Sequence, residues 1–284
     1  MQTQLLLLPT KFIGKEIFIN YHTLRYKKEK IILIKIKEIT SLNNSNLKEV
    51  VKLKTKKYRN LWNKFIIEGF KEIELAVNSN LVLTIITTKA KFDIYKKFAT
   101  NLILVTDRIL AKISQHKNPS EAIAVCKFKK QPKIDYFLDS KRLIIIENIQ
   151  DPGNFGTIIR NSYSFGFDIV YSGVDLYNFK TISASKGAIF KINIYFFKNI
   201  LDFFAYKPKQ EILITSLDRD SQNISNFKII PQKPYAIIFG NESKGISKKL
   251  YKISDKKIYI PINFESLNVA CAQAIFCHLF QLKK

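Results

Sequence analysis

Two short runs of apolar residues, Leu143-Ile-Ile-Ile146 and Tyr235-Ala-Ile-Ile-Phe239, constrain this chain most. Neither contains a charge, and each leads into turn-forming residues. Runs this short read as strands, and apolar side chains at successive positions need cover on both faces. Such strands belong to a parallel sheet, which needs helical crossovers. Strands are also expected at residues 167–171, 189–196, 211–216 and 257–262. Helices are expected at 157–165, closed by Gly166, and at 267–282. The segment Asp151-Pro-Gly-Asn154 reads as a turn.

The first half alternates in the same way. Strands are expected at residues 30–36, 64–69, 81–87 and 101–105. Helices are expected at 39–60, 70–78 and 90–98, with Asp107 capping a short helix through Ile113. The polar, basic stretch Lys127-Phe-Lys-Lys-Gln-Pro-Lys133 marks a boundary. The expected division is an N-terminal extension (1–37), a smaller α/β domain (38–130), a linker (131–140) and an α/β domain with a mainly parallel sheet (141–284).

Hydrophobic residues make up 46% of the 284 and charged residues 25%, enough to bury a core and to exclude disorder as a whole-chain description. Net charge is +24, which points to a polyanionic partner such as nucleic acid, against the plainer reading of a lysine-rich bias. Residues 1–140 carry 27 basic and 12 acidic side chains (net +15), and residues 141–284 carry 20 and 11 (net +9). Lys52, Lys54, Lys56, Lys57 and Arg59 fall on one expected helix and are the candidate phosphate contacts, or else a solvated face. Three cysteines without a CxxC pair argue against a disulfide framework and a zinc ribbon and fit a reducing cytoplasm. The Leu5-to-Leu8 run is too short to span a bilayer and lacks signal-peptide flanks, so no membrane association is expected. The three histidines are scattered, so no metal site is expected.

No G-x-G-x-x-G after a strand, P-loop or G-x-S-x-G elbow occurs. Three other segments carry the chemistry. Glu147-Asn-Ile-Gln-Asp-Pro-Gly-Asn-Phe-Gly-Thr-Ile-Ile-Arg160 joins a buried strand to a helix, with Asn154 and Gly156 at the helix start and Arg160 about one turn in. Phe239-Gly-Asn-Glu-Ser-Lys-Gly245 is a glycine-bounded loop bearing one carboxylate, Glu242. Tyr259-Ile-Pro-Ile-Asn-Phe-Glu-Ser-Leu-Asn-Val-Ala270 runs into the last helix, where Ser266 is the expected N-cap. Each taken alone is also readable as an ordinary loop. Carboxyl ends of strands in open α/β sheets are where sites gather.

In this order and spacing the three segments resemble the SpoU (TrmH-like) family of RNA ribose 2′-O-methyltransferases, of the SPOUT superfamily. The matching pieces are Asn154…Gly156…Arg160, Gly240-x-Glu242-x-x-Gly245 and Ile260-Pro261…Ser266-Leu-Asn-Val269. Val174-Asp175 and Lys180-Thr-Ile-Ser-Ala-Ser-Lys-Gly-Ala-Ile-Phe190 match the connecting segment. Weaker matches at Lys56-Lys57-Tyr-Arg59, Phe65-Ile-Ile-Glu-Gly69 and Asn118-Pro119 resemble a ribosomal-protein-like substrate-binding domain. The chain departs from the family at Ser183, where arginine is usual, in a shorter loop from Pro261 to Ser266, and at Ala270-Cys271.

The resemblance implies a trefoil-knotted C-terminal domain and a homodimer formed through it. It implies S-adenosylmethionine held by the second and third loops at Gly240, Ile260, Leu267 and Asn268. Arg160 is then the catalytic candidate, as base or as phosphate and alkoxide donor, with Asn154, Glu242, Ser266 and Asn268 positioning the reactants. The implied substrate is RNA, ribosomal rather than transfer RNA. The alternative is a non-catalytic RNA-binding or ribosome-assembly protein on the same fold.

Overall fold

The computed structural model describes residues 11–13, 16–21, 32–99 and 101–282. The Leu5-to-Leu8 run lies outside them. The chain divides into two units, residues 1–129 and 130–284.

The first unit contains β1 (Lys11–Ile13), β2 (Glu16–Tyr21), β3 (Ile32–Glu38), α1 (Ser45–Lys52), α2 (Lys56–Trp62), β4 (Lys64–Glu68), α3 (Phe70–Asn78), β5 (Val82–Thr88), α4 (Phe92–Tyr95), β6 (Asn101–Val105), α5 (Asp107–Ile113) and β7 (Ala122–Lys127). Its sheet order is β1-β2-β3-β6-β5-β7-β4. The β3–β6 and β5–β6 pairs are parallel and the other pairs antiparallel. Part of the expected extension is therefore sheet: β3 pairs with β6 from Lys35 to Glu38. Thr106, not Asp107, caps α5, its hydroxyl accepting from the Ile109 amide. The expected 39–60 helix is two helices, interrupted between Lys52 and Lys56. Leu47, Val50 and Leu53 are buried against Ile66, Ile86 and Val125 of the sheet.

The second unit contains α6 (Ile134–Leu138), β8 (Arg142–Ile149), α7 (Pro152–Phe165), β9 (Asp168–Gly173), α8 (Phe179–Ser185), β10 (Ile194–Phe196), α9 (Leu201–Phe204), β11 (Glu211–Thr215), β12 (Gln222–Asn223), β13 (Tyr235–Phe239), α10 (Lys248–Tyr251), β14 (Lys256–Tyr259) and α11 (Val269–Phe280). Sheet order is β10-β9-β8-β13-β11-β14-β12, with every pair parallel. Leu143–Ile146 and Tyr235–Phe239 lie side by side at its centre and are buried throughout, as two-faced cover requires. From β8 the chain lays β9 and β10 to one side and later inserts β13 on the other. The β8–β13 seam is thus the switch point where a crevice opens.

Four expectations change here. The 131–140 linker contains α6, whose Phe137 is buried against Leu143 and Ile145. Residues 189–196 are not one strand: a 3-10 turn at Ala188–Phe190 follows left-handed Lys186 and Gly187, and pairing starts only at Ile194. The last strand stops at Tyr259, ahead of Pro261, which has no amide to donate. Helix α7 begins at Pro152 rather than 157, because Asp151 caps it by accepting from the Asn154 amide at 2.6 Å.

Gly156 sets the α7–α8 contact. A β-carbon there would lie 2.4 Å from the Thr181 carbonyl oxygen and 2.6 Å from Ala184 Cβ. Gly156→Ala should cost about 1–3 kcal/mol, overpacking outweighing the better helix propensity of alanine. Urea unfolding followed through second-unit signals checks it, and unchanged stability would mean that α8 yields freely.

Helix α11 is joined to α7 by a buried polar network. Asn161 Nδ2 donates to the Ala270 carbonyl and to Gln273 Oε1, both at 3.1 Å. Gln273 Nε2 donates to Ser162 Oγ (3.0 Å) and contacts Cys277 Sγ. The far end of α11 is held by Arg142, whose guanidinium donates to the carbonyls of Phe280, Lys141, Lys233 and Pro231 and lies over the Tyr235 ring.

Candidate active site

The three loops meet at the carboxyl ends of β8, β13 and β14. After β13, Asn241 closes the second loop on itself: its amide donates to the Gly245 carbonyl (3.0 Å), and the Gly245 amide donates back (2.9 Å). Its side-chain oxygen accepts from the Ser243 and Lys244 amides, while Nδ2 donates to the Asn148 carbonyl near the end of β8 (2.9 Å). Asn241 thus stitches the second loop to the first across the central seam. Sequence reasoning missed it, although asparagine after glycine in a tight loop is an Asx-turn signal. Gly240 is required by space: a β-carbon there would lie 2.3 Å from the Gly245 carbonyl carbon, so any side chain would reopen the loop.

Asn154 is the hub. As the third residue of α7 it donates from Nδ2 to Glu242 Oε1 (3.3 Å) and accepts at Oδ1 from Asn268 Nδ2 (2.9 Å). Glu242 Oε1 also accepts from the Asp151 amide at 3.4 Å. Asn268 caps α11, its Oδ1 accepting from the Ala270 amide (2.9 Å) and the Cys271 amide (3.4 Å). One residue from each sequence segment therefore joins a single chain of hydrogen bonds. The expected cap, Ser266, is displaced: α11 starts at Val269, so the capping position falls two residues later, and Ser266 is exposed.

Beside this chain is a cleft of about 560 Å³. The candidates Gly240, Ile260, Leu267 and Asn268 line it, as do Asn154, Glu242 and Ser266. Phe239, Ile246, Ile258, Val269 and Phe276 add apolar wall. Thr215, Ser216 and Leu217, at and just past the end of β11, line it too and went unrecognised in the sequence; their only signal was position at a strand's carboxyl end. Tyr251 also lines the cleft, its hydroxyl donating to Ser216 Oγ at 3.1 Å.

Arg160 is exposed and lies two turns into α7, not one, because the helix starts earlier. It is not among the cleft-lining residues. Among the described residues its guanidinium pairs with no carboxylate.

The five basic candidates of the first unit separate. Lys52, Lys56 and Lys57 are exposed. Lys52 and Lys57 place their ammonium groups 5.3 and 5.8 Å from the Tyr58 ring centroid. Arg59 is buried and donates to the Leu53 (3.0 Å) and Lys54 (2.8 Å) carbonyls, holding the break between α1 and α2. Lys54 Nζ donates to the Ser114 carbonyl at 2.8 Å, and burial lowers its pKa. Arg59 and Lys54 are thus committed to carbonyls of their own unit. The expectation of five phosphate contacts on one helix is corrected to three exposed lysines on two.

Comparisons with known proteins bear on both units. The sequence pattern described as the SpoU rRNA Methylase family matches residues 141–278, and that of the MRM3-like substrate binding domain matches residues 44–124. A Bacillus subtilis protein named 23S rRNA (guanosine(2553)-2′-O)-methyltransferase RlmP is 30% identical over 254 residues, covering 86% of this chain and 98% of its own length. The crystal structure of an rRNA methyltransferase from Sinorhizobium meliloti superposes with a TM-score of 0.77 at 25% identity, over 85% of this chain and 96% of the other. The crystal structure of an AdoMet-bound rRNA methyltransferase from the same organism gives 0.75 at 24% identity, with the same coverage.

Proposed function

Since the chain belongs to the SpoU rRNA methylase family and is an RNA methyltransferase, we propose that it transfers the methyl group of S-adenosylmethionine to a ribose 2′-hydroxyl of ribosomal RNA. The observation that carries this reading is the Asn154 hub, which draws Glu242 and Asn268 from the other two segments to the edge of one cleft. Ribosomal RNA is favoured because the Bacillus subtilis relative, named for a 23S rRNA nucleotide, aligns across both units of this chain.

The cleft fits the cofactor. Its volume is within the ~300–1,000 Å³ range of small-molecule sites. Its walls are apolar side chains with backbone groups of the Gly240–Gly245 loop at one side, suited to a ring system with polar edges. Gly240, Ile260, Leu267 and Asn268 would hold it. When bound, S-adenosylmethionine supplies a methyl group already activated by its sulfonium charge.

The chain's own work is positioning and charge. Arg160 donates from its planar guanidinium to a phosphate beside the target ribose and stabilises negative charge growing on the 2′-oxygen, whose proton passes to solvent. The carboxamide of Asn154, fixed from both sides, and the carboxylate of Glu242 orient the nucleotide at the cleft mouth. Ser266 adds a hydroxyl at the same edge, and Asn268 ties α11 to α7. The insertion of β13 beside β8 and the return of α11 onto α7 support a trefoil-knotted second unit, which with the exposed Ile275 and Leu279 of α11 also supports a homodimer. Lys52, Lys56 and Lys57 contribute phosphate contacts from the first unit.

The deciding experiment supplies labelled S-adenosylmethionine with 23S rRNA or with DNA of the same sequence. Label should appear on a ribose oxygen of the RNA and be absent from DNA, which lacks the acceptor. Label on a base would overturn the reading.

A further inference from the structure

The second unit carries an excess of cations that its own carboxylates leave uneven. Lys209 pairs with Asp139 at 2.7 Å, Lys233 and Lys256 with Glu211 at 2.9 and 3.3 Å, and Lys257 with Asp218 and Asp220 at 3.3 and 2.8 Å. The segment 242–252 begins at the hub residue Glu242, and among the described residues its lysines form no such pairs. Lys244, Lys248, Lys249 and Lys252 are all exposed there, and among the described residues none of their ammonium groups makes a hydrogen bond or ion pair. The same segment lines the cleft through Glu242, Gly245, Ile246 and Tyr251, so the four lysines are carried by its rim. Their backbone is held in place: Asn241 fixes the Lys244 amide, and the Ser247 amide donates to Glu147 Oε2 at 2.7 Å.

We propose that Lys244, Lys248, Lys249 and Lys252 form a strip that grips the phosphates of the RNA strand flanking the target ribose. The occupant follows from charge: four unpaired cations on a rigid rim complement a polyanion with regularly spaced charges. It also follows from place, because the strand that presents a ribose to this cleft must pass the rim. Backbone contacts of this kind set register and orientation without reading sequence. The strip shares the grip that sequence reasoning gave to the first unit, two of whose five candidates are committed to internal carbonyls. It rests on the RNA methyltransferase reading and specifies where on that enzyme the substrate is held.

The test uses the full chain with all four lysines changed to glutamine, and a control carrying Lys198→Gln, Lys207→Gln, Lys209→Gln and Lys228→Gln, exposed positions that do not line the cleft. Both variants lose the same net charge. Filter binding to a 23S rRNA transcript across a salt series should show the strip variant weaker on the order of 10²-fold at low salt, its log–log salt slope shallower by about three. The control should retain most of its affinity, and calorimetric affinity for S-adenosylmethionine should be unchanged in both. Equal losses in the two variants would overturn the strip, leaving only net charge. So would unchanged RNA affinity with an altered sedimentation coefficient, which would give the rim to a protein contact. The transcript reports phosphate contacts whether or not it contains the target nucleotide. Methyl transfer to an incorrect RNA class would therefore sink the ribosomal RNA reading without touching the strip.

Discussion

Arg160→Ala is expected to lower turnover by ~10²-fold or more, the usual loss on removing one donor to developing transition-state charge. Affinity for S-adenosylmethionine should change little, because the guanidinium does not line the cleft. The two chemical roles open to Arg160 separate in a second variant. A guanidinium gives up its proton only at extreme pH and is a poor base, but its two parallel N–H groups match a phosphate. Arg160→Lys keeps the charge and loses the fork, with an ordinary pKa of about 10.4. If the donor role holds, this variant recovers a fraction of the activity, with a pH–rate profile no steeper than that of the unchanged enzyme. If Arg160 takes the hydroxyl proton, the lysine variant gains rate with rising pH as its ammonium deprotonates. Single-turnover rates across pH 7–10, with cofactor affinity by calorimetry, make the distinction. A large loss of cofactor affinity in either variant would move Arg160 into the cofactor site instead.

Which parts of this architecture were legible in the sequence depends on how local their causes are. Leu143–Ile146 and Tyr235–Phe239 announce themselves because a run of apolar residues has one economical home, the centre of a parallel sheet. The helix at Phe70–Asn78 and the left-handed Gly166 after α7 are likewise decided within a few residues. Failures arise where a cap or a distant contact decides. Asp151 converts an apparent Pro-Gly turn into the first turn of α7, and Asn268 takes the cap that Ser266 equally suits. Phe137 makes a helix of a stretch that Pro132 and Lys133 make read as linker, because its ring joins a buried cluster with Leu143, Ile145 and Phe203 that only the folded sheet assembles. The lysine-rich helix breaks at Leu53, whose burial ends α1 and draws Arg59 inward. At the site, the resemblance located residues that line the cleft, but the Asn154–Glu242–Asn268 chain spans more than a hundred positions and depends on rotamers that no spacing encodes.

Arg142 carries the other large expected effect, and it is on stability. Its guanidinium, 2% exposed, is surrounded by carbonyls rather than carboxylates: those of Phe280, Lys141, Lys233 and Pro231. The Lys141 carbonyl keeps the Tyr235 amide at 3.1 Å, but removing Arg142 takes the side-chain donor from the other three, at about 1–3 kcal/mol for each that water cannot reach, so Arg142→Ala should cost at least about 3 kcal/mol. Lysine keeps the charge but cannot fan its donors across four directions, so Arg142→Lys should fall between the two. The measurement needs care, since the chain's one tryptophan, Trp62, is in the first unit and reports that unit. Hydrogen exchange of α11 peptides reads the second unit directly. Opening should rise on the order of 10²-fold in the alanine variant, with Trp62 fluorescence unfolding unchanged as the internal control. Exchange in α11 that stays as slow as in the unchanged protein would show that Arg142 does not hold the helix. The consequence extends to the active site, because α11 carries Asn268 at its other end. Loosening the helix at Phe280 should blur the Asn154–Asn268 hydrogen bond, so the alanine variant should lose methyl transfer at temperatures where its sheet is still folded.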